Sequence, residues 1–475
     1  MDTKKKTLNV AIAAALLSAA GVVAVPAHAA PKQVELEGYF RSGAGTTTEG
    51  GNIACVRLPG AVTWFRMGNE CDTYVALTFG ANLGKVDDTT FKAKFTFAQG
   101  TQGLANWEAS APALREAFVT ADNIGSALQM PSLNGTSLWV GKRYYKNPDI
   151  HMLDYTYWEP AQGPGFGIDN INTSLGQFSY ALFRIGDHTG YGINDDLSGY
   201  NPDLIGGGSR TATVHDFRLQ KIATNPGGAV TVGMNLIRAS NHDGTSTYTT
   251  TVPQAVDLDN NPATPPVNVM VQQTNTIENK PGKNGIAFTL VHEQENLFGV
   301  GGTNTLGFQF ANDAALLKGW GAAGSTDDRT EWMLFDHWLY KPENSRWSAT
   351  STVGYRNAEV DNVTMKELWL GTRPHYAINK VVSLFSEVGY QQVKPENSAT
   401  RKLTKATFGA QFALGNDVTV RPALRLFATY AKWNDAAASA GNGVVCSGRD
   451  CATPVPAFAD KRKAIIYGAQ VETWF

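Results

Sequence analysis

From Val34 to its last residue the chain returns again and again to strict alternation, apolar then polar. Val34, Leu36, Gly38 and Phe40 fall on one side of a two-residue period, with Glu35, Glu37, Tyr39 and Arg41 on the other. Val75, Leu77 and Phe79 oppose Tyr74, Ala76 and Thr78, and Phe91, Ala93, Phe95 and Phe97 oppose Lys92, Lys94 and Thr96. Near the end, Leu424 and Leu426 oppose Arg421 and Arg425. The final segment sets Ile465, Tyr467, Ala469, Val471, Thr473 and Phe475 against Gly468, Gln470, Glu472 and Trp474. Successive side chains of a strand point to opposite faces, so these segments read as strands with one greasy and one wet face.

Which face turns inward is decided by what the wet faces carry. Arg, Lys and Glu recur there beside Tyr and Trp, which suits a water-filled interior with a lipid-facing outside. Charged residues make up only 17% of the chain, although it holds 11 Trp, 16 Tyr and 22 Phe; ordinary soluble domains carry about 25%. So many aromatics argue against disorder. Beyond the first 30 residues no apolar run approaches the ~18 residues of a membrane helix. A formal charge of −2 offers no polyanion-binding surface, and no nucleic-acid partner is expected. Connections alternate between tight turns such as Asn225-Pro226-Gly227-Gly228 and long Pro-, Asn-, Thr- and Gly-rich loops, roughly 244–285 and 434–456. That asymmetry, and the terminal Phe475 closing an amphipathic strand, predict an all-β transmembrane barrel of the outer membrane. Allowing about 25 residues per strand with its connection, the length predicts 16 to 18 strands.

The first residues set the compartment. Lys4, Lys5 and Lys6 precede an apolar run from Val10 to Val25, and Pro26 leads to Ala27-His28-Ala29, small at the positions a signal peptidase reads. Residues 1–29 are thus expected to be a signal peptide and 30–475 the barrel. Losing three lysines and Asp2 takes the formal charge from −2 to −4. Cys55, Cys71, Cys446 and Cys451 all lie in the exported part, where disulfides form. Four cysteines allow three pairings, of which local pairing is the simplest.

The motifs Gly38-Tyr39-Phe40-Arg41-Ser42-Gly43, Arg66-Met67-Gly68-Asn69-Glu70-Cys71-Asp72-Thr73-Tyr74 and Asn106-Trp107-Glu108-Ala109 come in order. Leu114-Arg115-Glu116-Ala117, Gly141-Lys142-Arg143-Tyr144-Tyr145, Asp149-Ile150-His151-Met152-Leu153-Asp154-Tyr155 and Gly163-Pro164-Gly165 follow. After Asn225-Pro226-Gly227-Gly228 come Arg373-Pro374 and Phe427-Ala428-Thr429-Tyr430-Ala431-Lys432-Trp433. Together they resemble the maltoporin (sugar porin) family across the exported chain, least so around 244–285. The resemblance implies an 18-stranded antiparallel barrel with an inward-folded constriction loop, a homotrimer in outer-membrane lipid, and facilitated diffusion of maltose and maltodextrins without a cofactor. It also implies a Cys55–Cys71 bridge.

By the same resemblance, Tyr39, Tyr74, Trp107 and Trp474 match an aromatic slide, and Arg41, Arg66, Arg115, Asp149 and Asp154 a polar track. Flat rings suit the C–H faces of sugars, while charged groups hydrogen-bond their hydroxyl rims. Alternation independently puts Tyr39, Tyr74 and Trp474 on wet faces. Departures from the family's pattern are as informative. Thr303 and Glu367 stand where it has aromatics; Trp369, two residues on along the same face, is the expected substitute. Thr156 replaces a bulky Tyr and Asn147 a track Arg, changes that widen and neutralise the throat and lean toward sucrose-type porins. The coiled-coil extension of that branch is missing between Ala29 and Val34.

Other chemistries find little support. The run Asp257-Leu258-Asp259-Asn260-Asn261 lacks the glycine and terminal glutamate of a calcium loop. His188, His215 and His337 are not accompanied by a catalytic partner motif, so an enzyme is not expected. A general diffusion porin is the alternative channel, and a phage-receptor role would reside in the loops.

Overall fold

Leu424 and Leu426 are 53% and 58% exposed while Arg425 between them is 2% exposed, and the same division of faces runs around the whole molecule. The computed structural model describes residues 34–102, 108, 110–159, 163–186, 211–239, 244–256, 267–279, 282–319, 328–441, 443–448, 451 and 453–475. The expected signal peptide (1–29), Trp107, His188 and the acidic run 257–261 lie outside them.

Eighteen strands form one antiparallel sheet. The first six are β1 (Val34–Thr47), β2 (Thr73–Val86), β3 (Thr89–Thr101), β4 (Ala113–Asp122), β5 (Ser137–Lys142) and β6 (Pro164–Asn172). Next come β7 (Gln177–Gly186), β8 (Thr211–Ala223), β9 (Gly228–Ala239), β10 (Gly285–Glu295), β11 (Thr303–Asp313) and β12 (Arg329–Tyr340). The last are β13 (Trp347–Val360), β14 (Val363–Ala377), β15 (Val382–Pro395), β16 (Arg401–Ala413), β17 (Ala423–Trp433) and β18 (Lys463–Trp474). Each pairs with its sequence neighbours, and β1 pairs with both β2 and β18, which closes the barrel. Closure leaves no unpaired edge, a requirement for strands in lipid. Phe475 completes the seam: it exchanges hydrogen bonds with Gly38 at 2.9 and 3.0 Å, and its ring fills the space over that glycine.

The outward face is apolar. Phe79, Phe95, Phe97, Leu370, Phe408 and Phe475 are all exposed on it. No helix among the described residues is long and apolar enough to cross a membrane. The loop read over 244–285 has regular structure of its own: Gly244–Val256 and Val267–Asn279 pair as a separate two-stranded sheet. Its threonines and valines are strong strand formers, a signal masked in the sequence by the prolines and asparagines among them.

Two loops turn into the lumen, and the wall explains why. The loop between β5 and β6 carries Ile150, Met152, Leu153, Tyr155, Tyr157 and Trp158, all buried. They pack on wall positions that are small, among them Ala181, Ala212, Ala287 and Ala311. Trp158 occupies the space a side chain at Gly233 would need, donates from Nε1 to Asp216 Oδ2 (3.1 Å), and is covered by the Arg218 guanidinium 3.9 Å from its ring. The loop between β1 and β2 lays Phe65 over Gly371 and Gly389. Glu367 fixes it there, accepting from Val62 N (3.0 Å), Thr63 N (3.2 Å) and Thr63 Oγ1 (2.8 Å). The Cys55–Cys71 and Cys446–Cys451 bridges are both present, the former across the base of this loop.

Candidate functional site

The two inward loops meet over the seam of the barrel, at Arg66. Its backbone N–H donates to Met152 O of the other loop (3.1 Å), and its guanidinium is the hub of the throat. That group bonds Glu70 and the Tyr39 hydroxyl, lies 2.7 Å from Glu472 and 2.6 Å from His151 Nε2, and stands 4.0 Å from Asp154. Arg41, one strand position from Phe40 but on the wet face, forms a bidentate pair with Asp72 at 2.9 and 2.7 Å. Bidentate geometry fixes orientation as well as charge. Arg41 also lies 3.9 Å from Asp154 and 5.4 Å from the Tyr74 ring centroid. At 3% and 5% exposure, Arg41 and Arg66 are committed to these pairs. Their main effect is to hold Tyr39, Asp154 and Glu472 in place.

Three of the predicted aromatics come together beside this hub. Tyr39 is the register partner of Trp474 across the β1/β18 seam, and its ring lies 6.0 Å from that of Tyr74. Arg421 lies 4.4 Å from the Trp474 ring centroid, and His151 meets that ring edge-on at 5.8 Å. Trp474, Tyr39 and Tyr74 therefore run across β18, β1 and β2 as one aromatic path. Burial, reinforced by the Arg66 guanidinium, brings the His151 ring down to about 4, so it is neutral at physiological pH.

Of the remaining polar residues, Asn147, Asp149 and Thr156 lie along the inward loop and Arg115 lies on β4 of the wall. Asp149 is the strand partner of Thr156 in a short hairpin whose strands are two residues each. Desolvation within the throat raises its carboxyl to about 6, with Arg66 pulling down and Asp154 pushing up. Asn147 Nδ2 lies 3.4 Å from Glu159 Oε1, and Arg115 Nε donates to the Tyr144 hydroxyl at 2.5 Å. Asn147 belongs to the inward loop, and Arg115 reaches that loop from β4 through Tyr144.

Trp369 corrects the sequence expectation. It is 0% exposed, packed over Gly354 in the same apolar cluster as Phe65 and Tyr155, with Nε1 3.3 Å from Thr352 Oγ1. A ring enclosed on both faces has none left for a solute in the lumen. Glu367 likewise serves to anchor a loop. Glu70, Asp72, His151 and Glu472 were not singled out from sequence; Glu472 could have been, since it shares the wet face of β18 with Trp474. His215 and His337 bond Tyr180 (2.9 Å) and Thr350 (2.7 Å), and no carboxylate among the described residues pairs with either. Among the described residues no three metal-ligating side chains converge.

A closed 18-stranded barrel with folded-in loops agrees with the family comparison: the LamB porin family matches residues 34–475. The chain belongs to the LamB porin family. This porin is accordingly a β-barrel channel of the outer membrane and not an enzyme. Among solved structures it is similar to Acinetobacter baumannii OccAB2, at 10% identity and a TM-score of 0.45, covering 94% of this chain and 98% of that one. It is also similar to Pseudomonas aeruginosa OprD, at 8% identity and a TM-score of 0.43, covering 93% and 95%. The outer membrane channel DcaP of A. baumannii is matched at 11% identity and a TM-score of 0.39, over 93% and 97%.

Proposed function

We propose that this porin conducts maltose and maltodextrins by facilitated diffusion, as a homotrimer exported by the signal peptide at residues 1–29. The observation that carries the reading is the aromatic path Trp474–Tyr39–Tyr74 lying directly against the charged hub of Arg66, Glu472 and Asp154. Pyranose faces stack on the rings while hydroxyls exchange hydrogen bonds with Asp149, Asp154 and Arg115. Each step along the path replaces a contact with a similar one, which keeps binding strong enough for entry and weak enough for exit. Trp107, matched to the slide by family resemblance, would add a further ring. Phage adsorption to the loops would be a separate use of the same barrel.

Thr156 and Asn147 favour a second reading, a sucrose-type or broader channel, because each is smaller or less charged than the residue the family places there. Planar-bilayer conductance titrated with maltotriose, maltohexaose and sucrose separates the two. Saturable block by maltohexaose, weakened in Tyr74→Ala, is the expected result. Block by sucrose at equal or lower concentration points to the second reading, and unblocked current with every sugar rejects both in favour of a general diffusion pore.

A further inference from the structure

The outward face of β14 to β18 ends, at the loop-bearing rim, in a row of lysines. Lys366 on β14 is the register partner of Lys394 on β15, and Lys432 on β17 is the partner of Lys463 on β18. Lys402 on β16 completes the row, opposite Gln392 and one outward position from Thr404, the partner of Lys432. All five side chains are exposed. Like charges placed directly opposite on neighbouring strands repel, with Cβ atoms about 5 Å apart. Two such pairs on one wall ask for an anion between them.

The protein does not supply one. Among the described residues none of the five ammonium groups has an ion pair. Glu396 accepts Thr364 N–H (2.7 Å) and Asp435 holds Arg462 (2.6 Å). Glu359, diagonal to Lys366 across the β13/β14 pair, makes no ion pair either. Directly below the row the same wall is apolar and exposed, with Leu370, Val388, Phe408, Leu426, Tyr430 and Ile465. Cations above a greasy wall, on a barrel that sits in a membrane, match one kind of molecule: an anionic head on hydrocarbon tails. We propose that this rim is a docking site for phosphate-bearing lipid of the adjoining leaflet, with phosphates bridging the lysine pairs and acyl chains lying on the apolar belt. The opposed lysines then stabilise the bound state, since each phosphate neutralises a repulsive pair.

The test uses the full-length porin in detergent, with native mass spectrometry reading bound bis-phosphorylated lipid A or inorganic phosphate. A lysine near an anionic surface contributes roughly fivefold, so the variant Lys366→Gln/Lys394→Gln should bind lipid A about 25-fold more weakly. Lys366→Arg/Lys394→Arg should retain binding, as should Lys85→Gln at the opposite rim. Heat-modifiable gel mobility confirms that each variant is folded. Unchanged lipid A binding in the Gln pair overturns the proposal. Inorganic phosphate bound as tightly as lipid A overturns it in favour of a free anion, and loss of oligomer in the Gln pair overturns it in favour of a partner copy covering the row.

Discussion

The carboxylate of Glu472, near the end of the last strand, lies 2.7 Å from the guanidinium of Arg66, in the first loop. It is also held by Arg421 (2.5 Å) and Arg425 (3.1 Å), so the final strand, the seam and the throat share one electrostatic knot. Low local dielectric strengthens each of these contacts and raises the cost of leaving any member unpaired.

Removing the hub of that knot should cost both stability and function. In Arg66→Ala, Glu70 loses its closest cation, while Arg421 and Arg425 still neutralise Glu472. A loss of about 3 kcal/mol is expected, at the low end for breaking a buried pair. It would be read as a lower unfolding temperature by gel mobility, together with weaker sugar block. An unchanged transition would mean that the knot does not constrain the throat.

Trp158 holds the constriction loop down, and it does so because residue 233 is a glycine. A Cβ there would come within 1.7 Å of the indole. Gly233→Val should therefore displace the ring at a cost of about 1–3 kcal/mol, free the loop, and raise single-channel conductance. Gly227→Ala, at a turn with φ of +75° away from the loop, should strain the turn without enlarging the pore.

Two tryptophans on inward faces are expected to separate cleanly. Trp474→Ala should weaken maltohexaose block by about 1 kcal/mol, or roughly fivefold, the scale of one stacking contact, with little change in stability. Trp369→Ala should do the reverse: a loss of about 3–5 kcal/mol with the aromatic path untouched. Thermal gel shifts and block titrations on the same preparations would test both halves.

Ion selectivity should titrate with Asp149. Its carboxyl is raised to about 6, so it is anionic above that pH and neutral below it. Cation preference, read from reversal potentials in a salt gradient, should fall as pH drops from 7.5 to 5 (solution values chosen about that midpoint). In Asp149→Asn it should be low throughout and flat across the range. A wild-type profile that is equally flat would place the selective charge elsewhere, with Asp154.

Strand faces were legible in the sequence because a strand's period is two: Leu424 outward, Arg425 inward, Tyr39 and Trp474 in the lumen all follow from parity and need no neighbour. Phe475 marked the closing strand for the same reason. Parity also put Trp369 inward, correctly, but could not say what stands in front of it. Loops have no period, so nothing in the order of residues announced that Phe65 would seal Gly371 and Gly389, or that Glu367 would be spent on Val62 and Thr63. The Tyr39 hydroxyl donates to the Glu472 carboxylate, 433 positions away, only because the barrel closes between them. The sequence by itself decided which side chains meet water and which meet lipid; the folding-in of two loops decided which of the wet ones remain open to the lumen.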